Sequence, residues 1–259
     1  MNSPAMAAIG RSLLVVVLFV GPVAARASFA AEPGITQSQA KDILTELKQI
    51  RALLEKSVQQ GAPRPANPAA PPPQRVRVPE SKAAYEAGRP DAPLTLVEFS
   101  DYECPYCRQF DISTYQQLKQ DYIDTGKLRF VNWDLPLDFH KSAFGAASAA
   151  RCAGEQGRYW ELRHVMMVND NALGRESLLT YAKDLGLDLP RFEACVTAES
   201  HGAEIRQQSA DAKAIGVSAT PSFVLGRTSG QGTEGLLIVG AMPYADFKAR
   251  IETLLASPR

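Results

Sequence analysis

Phe99-Ser100-Asp101-Tyr102-Glu103-Cys104-Pro105-Tyr106-Cys107 is the stretch whose reading decides the fold. In front of it, Leu94-Thr95-Leu96-Val97-Glu98-Phe99 is a short run rich in β-formers, as in a buried strand. Behind it, Phe110, Ile112, Tyr115, Leu118 and Tyr122 recur at roughly helical spacing. Cys104 is therefore expected at a helix N-terminus, as an exposed nucleophile. There the first backbone N–H groups lack intrahelical partners and the helix dipole is positive. Both favour the thiolate, the reactive form of cysteine. Pro105 falls near the first helical position, where its missing N–H costs nothing. Cys107, one turn inside, is expected to be less exposed. The competing reading, a structural zinc knuckle, needs four ligands. Cys152 and Cys195 are far apart in sequence, and neither has a close Cys or His beside it.

Working outward, Leu128-Arg129-Phe130-Val131-Asn132-Trp133 reads as a second strand after Gly126. Strand, helix, strand implies a parallel pair with a crossover helix. From about residue 138 to 215 the pattern turns helical, with an alanine-rich run from Ala143 to Ala153. Strand character returns at Ser222-Phe223-Val224-Leu225. A glycine-rich turn is expected from Gly226 to Gly235, then a partner strand at Leu236-Leu237-Ile238-Val239-Gly240. Pro243 opens a last helix with Tyr244, Phe247, Ile251 and Leu254 on one face.

The N-terminal third has a different character. Residues 1–31 have the form of a signal peptide: Arg11, an apolar core from Leu13 to Val20 too short to span a bilayer, and Ala25-Arg26-Ala27 as a cleavage site. An uncleaved membrane anchor is the alternative. Residues 32–60 hold a coiled-coil-like amphipathic helix, capped by Thr36 with Gln39 as its reciprocal partner. Ala40, Ile43, Leu47, Ile50 and Leu54 make a short heptad seam, so residues 37–58 are expected to join copies of the chain into a homo-oligomer. Packing on the chain's own globular domain is the bland alternative. Residues 61–79 read as a Pro-rich, semi-rigid linker. Lysine plus arginine total 28 and aspartate plus glutamate 28, which argues against a nucleic-acid partner.

Three motifs together carry a resemblance. They are Val97 through Cys107, Cys152-Ala153 ahead of Gln156-Gly157-Arg158-Tyr159-Trp160, and Gly216-Val217-Ser218-Ala219-Thr220-Pro221-Ser222-Phe223. Over residues 80–257 the chain resembles the DsbA-like thiol:disulfide oxidoreductases of the bacterial envelope. The resemblance implies an α/β thioredoxin fold with an inserted α-helical domain over residues 80–259. Here an N-terminal helix and linker precede it, similar in plan to the multimeric envelope isomerases. It implies a periplasmic enzyme that forms, reduces or isomerises disulfides through Cys104 and Cys107. Its partners would be unfolded or misfolded exported proteins and a membrane redox protein, and it needs no cofactor. A copper-binding or chaperone-like envelope protein of the same fold is the alternative, since thiolates suit Cu(I).

The resemblance also assigns roles. Glu98 shares its parity with Leu94 and Leu96, so it should face inward, where an unpartnered carboxylate tends to keep its proton. In the family the matching acid lies beneath the cysteines and shuttles the inner thiol's proton. Thr220-Pro221 would be a cis bond against the cysteines, with the Thr220 backbone free to pair with a substrate strand. With Cys104 and Cys107 so assigned, Cys152 and Cys195 are expected as a structural disulfide, buried free thiols being the alternative. His140, His164 and His201 are scattered and read as surface or packing residues.

Strongly oxidising family members have histidine where this chain has Tyr106, and tyrosine offers no positive charge. Redox titration is therefore expected to give a potential below the roughly −120 mV of the strongest oxidants. A value at that level would contradict the assignment.

Overall fold

A computed structural model of the chain describes residues 36–59, 74–169 and 172–257. The signal-peptide assignment to residues 1–31, and the linker over residues 61–73, lie outside the described residues. The described part falls into two units that divide between Pro68 and Ala69.

In the first unit, α1 (Gln37–Gln59) is a single helix. Its start is the capping box read from sequence: Thr36 N donates to Gln39 Oε1 at 3.0 Å and Gln39 N to Thr36 Oγ1 at 3.3 Å. Ile43, Leu44, Leu47, Ile50 and Leu53 are exposed, with Leu53 at 67%.

The second unit is a six-stranded sheet in the order β1-β6-β5-β3-β4-β2. Its strands are β1 (Arg75–Val78), β2 (Tyr85–Ala87), β3 (Leu94–Ser100), β4 (Leu128–Asp134), β5 (Ser222–Arg227) and β6 (Thr233–Val239). Among the strands of the described residues, only β3 and β4 pair in parallel, as the crossover connection requires; β2, β5, β6 and β1 pair antiparallel. β3 is buried along its whole length because it has a strand on each side and packed side chains on each face.

Two readings from sequence shift. The sheet begins inside the stretch assigned to the linker, because Val76 and Val78 alternate inward from β1 onto β6. The glycine-rich turn is shorter than expected. Gly226 lies in β5 and Gly235 in β6, directly opposite each other, because a Cβ on either would meet the partner strand's backbone at 2.1 or 2.0 Å.

One face of the sheet buries Leu94, Leu96, Phe130, Phe223 and Leu225 against the crossover helix and α9 (Tyr244–Ala256). Phe110, Phe223 and Phe247 form its aromatic centre, with ring centroids 4.5 to 5.6 Å apart. The other face buries Val97, Phe99, Val131, Trp133 and Val224 with Ala212 of the insert. The insert consists of α4 (Ala143–Gly154), α5 (Tyr159–Val168), α6 (Arg175–Asp184), α7 (Leu189–Thr197) and α8 (Gly202–Ala214). Ala146, Ala147, Ala149, Ala150 and Ala153 are buried at its centre, and their small side chains permit close packing of α4.

The buried Arg151 ties the insert to the sheet end. It donates to Asp134 Oδ2 of β4 at 2.6 Å, Gln208 Oε1 of α8 at 2.7 Å and Ala83 O at 2.8 Å. The crossover helix is not uniform. α2 (Pro105–Gln109) gives way to a π-helical stretch (Phe110–Tyr115), then α3 (Gln116–Leu118) and a second π-helical stretch (Lys119–Ile123). Widened turns of this kind change which residues share a face. Asp111 lies in the first of them, fully buried.

Candidate active site

β3 ends at Ser100, and the chain turns through Asp101–Glu103 so that Cys104 caps α2, with Pro105 in its first turn. Cys104 is extended (φ −71°, ψ 118°) and uses no side-chain cap, so its sulfur faces the free N–H groups that follow. Cys104 and Cys107 are free thiols.

Cys104 is not the exposed nucleophile that its place at a helix end predicts: it is only 4% exposed. A loop 116 residues away covers it. The Thr220–Pro221 bond is cis, and Cys104 Sγ donates to Thr220 O at 3.2 Å. The Thr220 carbonyl accepts this bond from the thiol form of Cys104, and the buried Thr220 Oγ1 has no hydrogen-bond partner within the chain. The neighbouring Tyr106 is 61% exposed.

The two thiols titrate in opposite directions. The neighbouring Cys107 thiol and the N–H groups of Cys107 and Tyr106 hold Cys104 down at about 5, against the opposing effect of burial. Cys107 is fully enclosed; burial first, then Cys104 and Glu98, push its thiol well above the ordinary cysteine value. The outer sulfur is therefore the anion and leaving group, and the inner one holds its proton.

Glu98 points inward from β3, as its parity predicts, and is fully buried. It is not alone. Arg163 Nη2 of α5 donates to Glu98 Oε2 at 2.8 Å, and Arg163 Nη1 donates to Asp111. Glu98 Oε1 has no hydrogen-bond partner within the chain. Burial raises the Glu98 carboxyl to about 7; Arg163 pulls it down and Asp111 pushes it up. A carboxyl poised there can hold or release a proton near neutral pH.

Arg163 and Asp111 escaped the sequence reading, yet both left a signal. Tyr159, Leu162, Arg163, Met166 and Met167 are the buried residues of α5, so a cation occupies an apolar-stripe position. Asp111 follows the buried Phe110 in the same way. Each histidine contacts a carboxylate: His140 Asp101, His164 Asp111, and His201 both Glu155 and Glu204. Cys152 and Cys195 form a disulfide between α4 and α7, with a Cα–Cα distance of 5.8 Å. His201 lies beside it, its ring nitrogen and the two sulfurs within 4.8 Å of one another. The fold thus supplies the histidine that Cys152 and Cys195 lack in sequence, but their sulfurs are bonded to each other.

A family model described as Thioredoxin matches residues 80–234. The chain belongs to the thioredoxin family. Among solved structures, this thioredoxin-family protein is similar to alpha-DsbA1 of Wolbachia pipientis, at 22% identity and a TM-score of 0.62, over 68% of this chain and 93% of that one. It is also similar to oxidised BdbD of Bacillus subtilis, at 22% identity and a TM-score of 0.60, over 70% and 98%. A thioredoxin-like oxidoreductase of Silicibacter pomeroyi DSS-3 is 27% identical, with a TM-score of 0.57, over 69% and 95%. The fold is DsbA-like. Among curated relatives, Na(+)/H(+) antiporter NhaA 3 of Salinispora tropica is 38% identical over 137 residues, 52% of this chain and 20% of that protein. Na(+)/H(+) antiporter NhaA of Herminiimonas arsenicoxydans is 37% identical over 136 residues, 52% and 21%. The thioredoxin-family chain therefore spans about a fifth of the length of these curated relatives.

Because the folded protein holds the Glu98 proton up to about 7, against 4.5 ordinarily, it binds more protons than the unfolded chain between those values. Stability from this group is full below about 4.5 and falls as pH rises through about 7. In the reduced protein, the stability difference between the unaltered chain and Glu98→Gln, measured by urea unfolding across this range, is expected to carry that slope. An unchanged slope in Glu98→Gln would show that another group carries the proton.

Proposed function

We propose that this protein is a thiol:disulfide oxidoreductase that forms, reduces or isomerises disulfides in exported proteins. The observation that carries the reading is the opposed pair of sulfurs: Cys104 held as an anion at a helix end, Cys107 enclosed and protonated beside Glu98. In oxidation, a substrate thiolate attacks Cys104 Sγ of the Cys104–Cys107 disulfide. Cys107 leaves and takes a proton, which Glu98 supplies. The substrate's second thiolate then attacks its own sulfur in the mixed disulfide and expels Cys104 as a thiolate. Two electrons pass from substrate to enzyme, and a membrane redox partner would remove them. Run in reverse from the dithiol, the same steps reduce or reshuffle a disulfide.

The NhaA relatives' transport is named for proteins about five times the matched length, and we do not extend it to this chain. Among the described residues, no helix is long and apolar enough to cross a membrane. A periplasmic location is part of the proposal, supported by the signal-like residues 1–31 and by the disulfide in the insert.

Scrambled ribonuclease, assayed beside dithiol oxidation, tests the activity. The intact protein is expected to accelerate at least one of the two, and Cys104→Ser to fall to the uncatalysed rate. Full activity in Cys104→Ser would overturn the reading.

Oligomerisation through residues 37–58 is a separate part of the proposal, supported by the exposed apolar residues of α1. Light scattering is expected to find a multimer in the protein beginning at residue 32 and a monomer in one beginning at residue 61. Equal subunit counts would remove this part and leave the chemistry untouched.

A further inference from the structure

In the reducing direction, reaction of Cys104 with a disulfide is only half of a turnover; Cys107 must then attack to release what Cys104 holds. The groups that aim Cys107 come from outside the cysteine motif. Asp101 N is directed at Cys107 Sγ at 3.5 Å. That amide is positioned by its own side chain, which is fully buried. Asp101 Oδ1 accepts from Glu103 N at 2.8 Å, closing the turn before the helix. Asp101 Oδ2 accepts from Leu137 N and from His140 Nδ1, each at 2.8 Å.

Glu103 binds the same distant segment. Its Oε2 accepts from Ser142 N at 2.5 Å and Ala143 N at 2.8 Å, at the start of α4. Two carboxylates on either side of Tyr102 thus fasten the cysteine loop to residues 137–143. Of the groups on Asp101, His140 is the one side chain that can be altered without touching the loop's own backbone. It is mostly covered, with 18% of its side chain exposed.

We propose that Asp101 and His140 are a positioning pair for the resolving step, fixing the Asp101 amide on Cys107 so that this sulfur can attack the Cys104 mixed disulfide. The inference rests on the thiol:disulfide reading above. Cys107 loses its proton to the Glu98 carboxylate, and its thiolate attacks Cys104 Sγ. The bond from Cys104 to the captured sulfur breaks and that sulfur leaves as a thiolate. The Asp101 N–H stabilises the Cys107 thiolate as it forms, and His140 keeps the Asp101 turn from rotating away.

Reduced full-length protein mixed with oxidised glutathione, sampled over time by acid quench and intact mass, separates the two steps. Capture appears as glutathione bound at Cys104, and resolution as its loss with formation of the Cys104–Cys107 disulfide. His140→Ala is expected to slow resolution about tenfold, the scale of one charge-assisted hydrogen bond. Capture should stay within about twofold of the unaltered rate. His140→Gln, whose amide can also donate to Asp101 Oδ2, should restore most of the resolving rate. Equal slowing of both steps would reduce the pair to general stability and overturn the proposal. So would an unchanged resolving rate in His140→Ala, or no rescue by glutamine. If the unaltered protein never forms the mixed disulfide, the oxidoreductase reading itself fails, which is a distinct result.

Discussion

A thiolate at the start of a helix is the constraint on which the rest of this structure depends. The charge on Cys104 is held by short-range donors: the Cys107 thiol and the first amides of α2. Burial works against it, so each donor must be in place when the proton leaves. The thiol form meanwhile donates to Thr220 O, a contact that ionisation abolishes. The sulfur is balanced between a carbonyl that favours the thiol and amides that favour the anion. Such a balance demands that the helix start, the inner thiol and the Thr220–Pro221 loop be fixed to within fractions of an ångström. Much of the remaining architecture serves that requirement.

The charged groups beneath the cysteines show what the requirement costs. Glu98, Asp111 and Arg163 are all buried on one side of the sheet. Buried ion pairs contribute little net stability, because desolvation offsets their attraction, yet losing one partner costs roughly 3–5 kcal/mol. A hydrophobic trio would hold the fold as well. What it could not do is place a carboxyl with a raised proton affinity near an inner thiol that has to lose its proton. Two carboxylates on one guanidinium leave one acid only partly compensated, and Glu98, with Oε1 lacking a partner within the chain, is that acid.

The helical insert is more than a cover. It supplies Arg163 to Glu98, Arg151 to the end of β4, and a segment around residues 137–143 to the cysteine loop. Its own rigidity comes from the alanine-lined centre and the Cys152–Cys195 disulfide. Closing a loop with a sequence separation of 43 residues restricts the unfolded chain by about 4 kcal/mol in the chain-entropy account. A thioredoxin-type sheet and an insert fastened in this way behave as one scaffold around a single sulfur pair.

What the sequence by itself determined is what local period and local spacing can encode. The run Leu94–Phe99, the Cys104–Cys107 spacing, Pro105 and the strand at Leu128 placed the cysteines at a helix start after a buried strand. The Thr36–Gln39 box and the inward parity of Glu98 were legible for the same reason, since capping and pleat alternation depend only on neighbours a few residues away. Tertiary structure alone decided who stands opposite whom. Arg163 reaches Glu98 across 65 residues, His140 reaches Asp101 across 39, and Thr220 reaches Cys104 across 116. β1, short and paired to the last strand of the sheet, looked like linker because its partner lies over 150 residues away. Cys104 looked exposed because the sequence does not say which distant loop will cover a helix end. Such pairings are set by how the sheet orders its strands and where the insert docks, and no periodicity in the chain carries that information.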